Sequence, residues 1–135
     1  ADTLNYDAQK LVAAQQVHGA EIFVADTSTQ GRGAFSWESA IENCDALITS
    51  QTNVPLLIQV ADCAPLLFVD EKSHSLAVVH AGWRGAVARI ASKTVATMQQ
   101  FGAQPENIKV GIGPCLCAAC FEIGDEVVVA ANKIA

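Results

Sequence analysis

The sequence predicts an α+β domain in which short β-strands outnumber helices. Apolar, β-branched runs recur along the chain, and an amphipathic helical stretch lies between the last two of them, so residues 76–112 are expected to form a β-α-β unit. The chain has 135 residues, of which 51% are hydrophobic and 16% charged. Residues 1–135 are therefore expected to form a single domain with a buried core.

The elements follow from the local patterns in chain order. Residues 45–49 and 54–60 are mostly apolar and rich in branched side chains, which is typical of strands buried on both faces. Residues 27–43 lack a period and predict a surface loop, with a brief helical turn at Trp37. The last run, 125–133, predicts a helix because acidic residues occupy its first turn. Further strands are expected at 11–14, 21–25, 65–70, 76–81 and 108–112.

The helix of the β-α-β unit is indicated by apolar residues at i, i+3 and i+4 between residues 87 and 101. Gly102 and Pro105 then end the helical pattern. The chain's single methionine, Met98, lies on the apolar stripe and is expected in the core.

A hairpin formed by 65–70 and 76–81 contains or adjoins the residues best suited to bind a metal or to act in catalysis. If Glu71 and Lys72 form its tip, Cys63 lies directly opposite His80, with Cβ atoms about 5 Å apart. A thiol and an imidazole at that distance can share a metal, or can act as nucleophile and base with Asp62 or another acid as the orienting group. A register slip of one residue would place them on opposite faces.

The chain contains three histidines, at positions 18, 74 and 80. His18 precedes Gly19, which allows a turn that re-aims the imidazole, whereas His74 is expected to be an exposed residue of the hairpin turn. His18, Cys63 and His80 are thus the richest candidate metal ligands. Two imidazoles and a thiolate leave tetrahedral zinc one open position, as hydrolytic or phosphorolytic chemistry requires.

Copper is the competing metal for the same ligands. A blue copper site needs a weak axial thioether, but Met98 is assigned to a helix core. Three histidines are also too few for a multicopper cluster. Zinc is therefore preferred.

The turn after the second hairpin strand is rich in glycine and contains Arg84 between Gly82 and Gly85. Such a turn offers backbone N–H groups and a helix dipole to an anion, and a guanidinium suits phosphate. Alternatively, the two glycines only permit a tight turn and Arg84 is solvated. The later G-I-G-P run lacks the third glycine of a dinucleotide fingerprint, so a Rossmann site is not expected.

Five cysteines and a net charge of −6 restrict the setting and the partners. An odd cysteine count without a secretion signal favours reduced thiols and a cytoplasmic location. Cys44 is expected to be a buried hydrophobe. Cys115, Cys117 and Cys120 have a metal-binding spacing, but a fourth ligand is missing, so structural zinc is disfavoured.

The scattered basic residues and the lack of a long apolar run argue against nucleic-acid and membrane partners.

Four motifs together resemble the family once called multicopper polyphenol oxidases or laccase-domain proteins. They are Q-V-H-G at 16–19, A-D-C-A-P-L-L at 61–67, H-A-G-W-R-G at 80–85, and G-I-G-P with F-E-I-G between 111 and 124. The resemblance covers about residues 11–128. Family members are described as purine nucleoside phosphorylases with adenosine deaminase activity, and some bacterial members as peptidoglycan editing factors.

The resemblance implies that His18, Cys63 and His80 are zinc ligands. It also implies packed mixed β-sheets flanked by helices, in a fold similar to that of deamidase toxins, which are cysteine hydrolases. The implied reactions are phosphorolysis of adenosine, inosine, guanosine and methylthioadenosine, and deamination of adenosine. Because family members are considerably longer, the chain is expected to be truncated at both ends.

The leading expectation is a zinc enzyme that acts on purine nucleosides and phosphate. Arg84, with Gly82 and Gly85, would bind phosphate, and Asp62 would orient a ligand or transfer a proton. The alternatives are a Cys-His hydrolase of peptidoglycan precursors, a copper-dependent polyphenol oxidase, and an inactive metal-binding fragment. The sequence ranks neither the nucleosides nor the two reactions, and it leaves the oligomeric state open.

Overall fold

The structure, a computed structural model, describes residues 6–134. Its strands are β1 (Val12–Ala13), β2 (Ile22–Val24), β3 (Ala46–Thr49), β4 (Leu56–Leu57), β5 (Ala64–Asp70), β6 (Ser75–Ala81) and β7 (Lys109–Ile112). Its α-helices are α1 (Trp83–Val87), α2 (Ile90–Gln99) and α3 (Asp125–Asn132). Short 3-10 turns occur at Ala8–Lys10, Thr27–Thr29, Trp37–Ser39 and Pro105–Asn107.

Five strands form a mixed sheet in the order β2-β3-β6-β5-β7. β2 and β3 are parallel, and the other neighbours are antiparallel. A separate two-stranded parallel sheet pairs β1 with β4. This architecture confirms the α+β prediction of mixed sheets flanked by few helices. No helix within residues 6–134 combines the length and the apolar character needed to cross a membrane.

The β-α-β unit is present, with β5 between its two strands. β6 and β7 both run antiparallel to β5 and are therefore parallel to each other. The helical stretch between them differs from the prediction because it begins at Trp83 and is interrupted. Arg89 takes a left-handed conformation, with φ of 59°, and this residue separates α1 from α2.

Apolar side chains pack on both faces of the five-stranded sheet. On one face α2 contributes Ile90 and Met98, both fully buried, against Phe68 and Val79. The predicted core position of Met98 is confirmed. All four residues of β3 are buried, as its continuous apolar pattern predicts.

Cys44 packs in a group of apolar residues that includes Leu47 and Val78, on the opposite face of the sheet from Met98, and is 4% exposed. Its thiol donates to the Ile41 carbonyl at 3.8 Å. Burial, followed by the negative charge of Asp45, raises the pKa of Cys44 to about 11. The prediction that Cys44 is a buried hydrophobe is confirmed.

The hairpin register differs from the prediction by two residues. Asp70 pairs with Ser75, so the turn contains four residues rather than two, and His80 faces Pro65. The buried Asp70 carboxylate accepts the Lys72 N–H at 2.9 Å, and this side-chain turn lengthens the tip. A shift of two residues keeps each side chain on its predicted face.

The predicted strand at 54–60 is shorter than expected. The 54–60 run pairs only at Leu56–Leu57. Further along, the Gln16 side chain bonds both main-chain groups of Gln59, at 2.7 Å each. A side chain thus takes the backbone groups that a longer strand would have used.

Candidate metal site and clefts

His18, Cys63 and His80 converge on one point at the end of the hairpin. Their ligand atoms all lie within 4.8 Å of one another, the sole group of this kind found in residues 6–134. The two imidazoles meet edge to face, with ring centroids 4.7 Å apart and planes at 81°. His80 lies on β6, Cys63 immediately precedes β5, and His18 lies in the turn between β1 and β2.

Asp45 is a buried carboxylate that connects two of these ligands. It is fully buried immediately before β3. One oxygen accepts the His80 Nδ1 contact at 2.7 Å and the His18 N–H at 3.0 Å. The other accepts the N–H groups of Val17 at 3.3 Å and Gly19 at 2.7 Å. One side chain therefore positions both the turn that carries His18 and the ring of His80.

The Asp45 contacts select a tautomer and a backbone conformation. With Nδ1 of His80 bonded to the carboxylate, Nε2 is the ring nitrogen that remains for a metal. His18 itself, rather than Gly19, has a positive φ of 60°. Such a conformation is costly for a residue with a side chain, and three N–H bonds to Asp45 stabilise it.

Sequence reasoning missed Asp45 because the residue was counted within an apolar strand. The signal was available, since an aspartate is almost never fully buried unless it is paired. A carboxylate in a continuous apolar run therefore indicated a buried partner.

Gly82 and Gly85 allow close packing around the ligands. A Cβ at Gly82 would lie 3.2 Å from Cδ2 of His18, 3.3 Å from Sγ of Cys63 and 3.8 Å from Cε1 of His80. A Cβ at Gly85 would lie 2.6 Å from the carbonyl oxygen of Gly19, a distance that no real contact allows. Both glycines keep space for the ligand cluster, a role the sequence pattern did not reveal.

A cleft of about 420 Å³ opens onto all three ligands. The amide of Gln16 holds the Gln59 main chain at its wall. The cleft is lined by Gln16, His18, Gln59, Val60, Ala61, Asp62, Cys63 and His80.

A second cleft, of about 370 Å³, also reaches Cys63 and is mostly apolar. Asp62 and Cys63 line both clefts. The wall of the second cleft includes Gly82, Trp83, Cys115, Leu116 and Phe121. Cys63 thus borders both the cleft that contains the two histidine ligands and the second, more apolar cleft.

The charges around Cys63 are negative. Burial raises the pKa of its thiol, and the carboxylates of Asp62 and Asp45 raise it further. A cation at the cluster would oppose both effects, because a metal-bound cysteine is a thiolate. The arrangement is thus suited to a cation.

Arg84 lies near the clefts but is exposed. Its guanidinium stacks 4.3 Å from the ring centroid of Trp83, which lines the second cleft. In the described part of the chain, Arg84 itself lines neither cleft. Arg84, the residue predicted to bind phosphate, therefore lies beside the clefts rather than within them.

The other residues considered in the sequence analysis, His74 and the three cysteines at 115, 117 and 120, are not part of the ligand cluster. His74 is exposed at the hairpin tip, as predicted, and borders a cavity of about 740 Å³ remote from the metal ligands. Cys115, Cys117 and Cys120 are exposed.

Comparison with known proteins identifies relatives across the whole chain. Residues 1–135 match the family described as multi-copper polyphenol oxidoreductase laccase. Adenosine deaminase RL5, from an unknown prokaryotic organism, is 39% identical over 130 residues, which are 96% of this chain and 50% of the relative. The purine nucleoside phosphorylase of Deinococcus radiodurans is 38% identical over 127 residues, 94% of this chain and 46% of the relative.

Solved structures agree with these matches. YlmD from Geobacillus stearothermophilus superposes with a TM-score of 0.94 at 34% identity, covering 98% of this chain and 50% of that one. The hypothetical protein YfiH of Bacillus licheniformis gives a TM-score of 0.95 at 30% identity, covering 99% and 51%. The chain spans about half the length of the relatives it matches. The sequence motifs, the fold and these matches agree that the chain belongs to the multi-copper polyphenol oxidoreductase laccase family, the laccase-domain family.

Proposed function

We propose that the protein is a zinc-dependent purine nucleoside phosphorylase that also deaminates adenosine and phosphorolyses methylthioadenosine. The observation that carries the proposal is the convergence of His18, Cys63 and His80 within 4.8 Å in the lining of a cleft. Relatives named purine nucleoside phosphorylase and adenosine deaminase support the two reactions. The substrates are therefore purine nucleosides and, for phosphorolysis, inorganic phosphate.

The donor set fits zinc better than copper. Two imidazoles and one thiolate are ordinary zinc ligands and leave one position open. The thioether that blue copper would need belongs to Met98, which lies on α2 and is fully buried against the sheet. Three histidines remain too few for a multicopper cluster. Zinc at this site would supply a Lewis acid that polarises an oxygen or lowers the pKa of a water.

The chain's own groups prepare the site for that chemistry. Asp45 keeps Nε2 of His80 available and holds His18 in its strained conformation. Asp62 lies exposed where the two clefts meet. Its carboxylate would accept a proton from the attacking group or return one to the leaving purine.

Phosphate binding is assigned to the turn that contains Gly82, Arg84 and Gly85. Gly82 lines the second cleft, and the Arg84 guanidinium lies over Trp83 on the same side. A guanidinium there can bond a phosphate oxygen at the cleft rim. The apolar wall of the second cleft suits a purine ring.

Assays with adenosine and inosine, each with and without phosphate, test the proposal. Phosphate-dependent release of the free base and phosphate-independent formation of inosine from adenosine are expected. His80→Ala should lose bound metal and both activities, whereas His74→Asn, at the remote end of the hairpin, should keep them. Full turnover by metal-free His80→Ala protein would reject the assignment.

A second function is favoured by a different observation. His80 lies between the Cys63 thiol and the Asp45 carboxylate, an arrangement that also suits a Cys-His hydrolase such as one acting on peptidoglycan precursors. The orienting acid would then be Asp45, because that carboxylate is the one bonded to His80. A fold like that of deamidase toxins would agree with this reading. The raised pKa of Cys63 opposes it.

Chelation separates these functions. A thiol hydrolase should keep its activity in chelator and lose it to iodoacetamide, and the zinc enzyme should be inactivated by the chelator. Stoichiometric zinc without any turnover would indicate a metal-binding fragment, and phenol oxidation that needs copper would indicate the oxidase. A cytoplasmic location is proposed because all five cysteines are free thiols.

A further inference from the structure

Cys117 and Cys120 occupy the two ends of a tight turn. The N–H of Cys120 donates to the Cys117 carbonyl at 3.0 Å, which is the bond that closes a four-residue turn. In such a turn the first and fourth Cα atoms are less than about 7 Å apart, and a disulfide requires about 4.4 to 6.8 Å. The backbone therefore holds the two Cα atoms at a separation that a disulfide can span.

The two thiols are exposed and unequal. The neighbouring Cys120 thiol, with the backbone N–H groups of Cys120 and Ala119, lowers the pKa of Cys117 below its ordinary value of 9.0. Both side chains are open to solvent. An exposed thiol that ionises readily beside a second thiol is typical of redox-active cysteine pairs.

The other cysteines are less suited to this chemistry. Cys44 is buried, and its pKa is raised to about 11. Cys63 belongs to the ligand cluster. Within the described residues, Cys115, Cys117 and Cys120 do not form a group with the proximity of a metal site. The 117–120 turn therefore combines exposure, proximity and an ionisable thiol.

We infer that Cys117 and Cys120 form an oxidisable dithiol that reacts with low-molecular-weight disulfides, a modification site separate from the metal ligands. The Cys117 thiolate attacks one sulfur of the small disulfide, whose S–S bond breaks and releases one thiolate. Cys120 then loses its proton and attacks the Cys117 sulfur, which releases the second thiolate. The protein loses two electrons and two protons, and the small disulfide becomes two thiols.

The dithiol lies at the rim of the second cleft. The Leu116 N–H donates to the Asp62 carbonyl at 3.0 Å, which joins this segment to the residue preceding Cys63. Cys115 and Phe121, on either side of the turn, line the second cleft. A disulfide would fix the conformation of the turn at that rim.

The experiment treats the purified protein with glutathione disulfide, quenches the reaction by alkylation, and maps the peptides. Two of the five thiols should disappear without bound glutathione, with Cys117 joined to Cys120, and dithiothreitol should restore both. Cys120→Ser should stop at a stable glutathione adduct on Cys117. Cys115→Ser is the matched control and should form the same disulfide as the unaltered protein.

Three results would overturn the inference. One is glutathione retained on both Cys117 and Cys120 in the unaltered protein. Another is a disulfide that includes Cys115. The third is a Cys117 that is alkylated as fully after treatment with glutathione disulfide as before it.

Discussion

Asp45→Asn is the substitution that examines the site most sharply, because the side chain keeps its shape but loses half of its acceptors. Each carboxylate oxygen accepts two hydrogen bonds, one pair from His80 and His18 and the other from Val17 and Gly19. In the variant an NH₂ group replaces one oxygen. Whichever way the amide is oriented, the two N–H groups that had bonded to the replaced oxygen then face the NH₂ group, which is itself a donor.

The expected losses follow from these contacts. A buried donor left without a partner costs about 1 to 3 kcal/mol, so the variant should lose about 2 to 6 kcal/mol of unfolding free energy. A partner that orients a metal-binding histidine typically contributes about 10- to 100-fold to metal affinity. Zinc should therefore bind to Asp45→Asn at least about tenfold more weakly.

Zinc affinity is measured by competition with a chromogenic chelator, and stability by urea unfolding of the metal-free protein. Asp70→Asn is the matched control. Asp70 is also a buried carboxylate that accepts backbone N–H groups, but it lies at the other end of β5, about 20 Å from Cys63. It should lower stability and leave zinc affinity unchanged. Equal zinc affinity in Asp45→Asn and the unaltered protein would refute the orienting role.

Three further predictions use other parts of the structure. Gly85→Ala forces a Cβ against the Gly19 carbonyl, so it should lower the unfolding free energy by about 1 to 3 kcal/mol and weaken zinc binding. The control Gly111→Ala, whose Cβ would lie 3.9 Å from its nearest neighbour, should change the unfolding free energy by under about 0.5 kcal/mol. Equal losses in the two variants would contradict the packing argument. Arg84→Ala should raise the KM for phosphate about 10- to 100-fold, and Arg84→Lys should raise it less. An unchanged KM in Arg84→Ala would mean that Arg84 is a solvated residue without a role in phosphate binding. Burial raises the pKa of Asp70, but hydrogen bonds outweigh it and lower the pKa below 3.8, so its stabilisation is present above that pH and lost as the pH falls further. Urea unfolding across the acid range should show a smaller loss for Asp70→Asn than for the unaltered protein, and parallel curves would exclude this linkage.

The face of the hairpin on which each side chain lies could be predicted from the sequence, but the pairing register of the two strands could not. Alternation places Cys63 and His80 on one face whether the turn has two or four residues. The number of turn residues depends on where the Asp70 carboxylate bonds, and that bond forms only when the chain folds. The proximity of the Cys63 thiol and the His80 imidazole was therefore predictable, whereas the prediction that the two residues pair directly across the strands was wrong.

The network behind the ligands was harder to predict because it joins distant segments. Asp45 contacts the His18 turn and β6, which lie 26 to 35 residues away in either direction along the chain. No local period reports such contacts. The break at Arg89 was equally hidden, since the apolar stripe continues across a residue that has a left-handed backbone.

Elemental analysis of the purified protein, without added metal and with zinc and copper measured together, tests the central claim most directly. The account predicts about one zinc per chain, its loss in Cys63→Ser, and no stoichiometric copper. Copper at that stoichiometry, no metal, or zinc that persists in Cys63→Ser would contradict a zinc site formed by His18, Cys63 and His80.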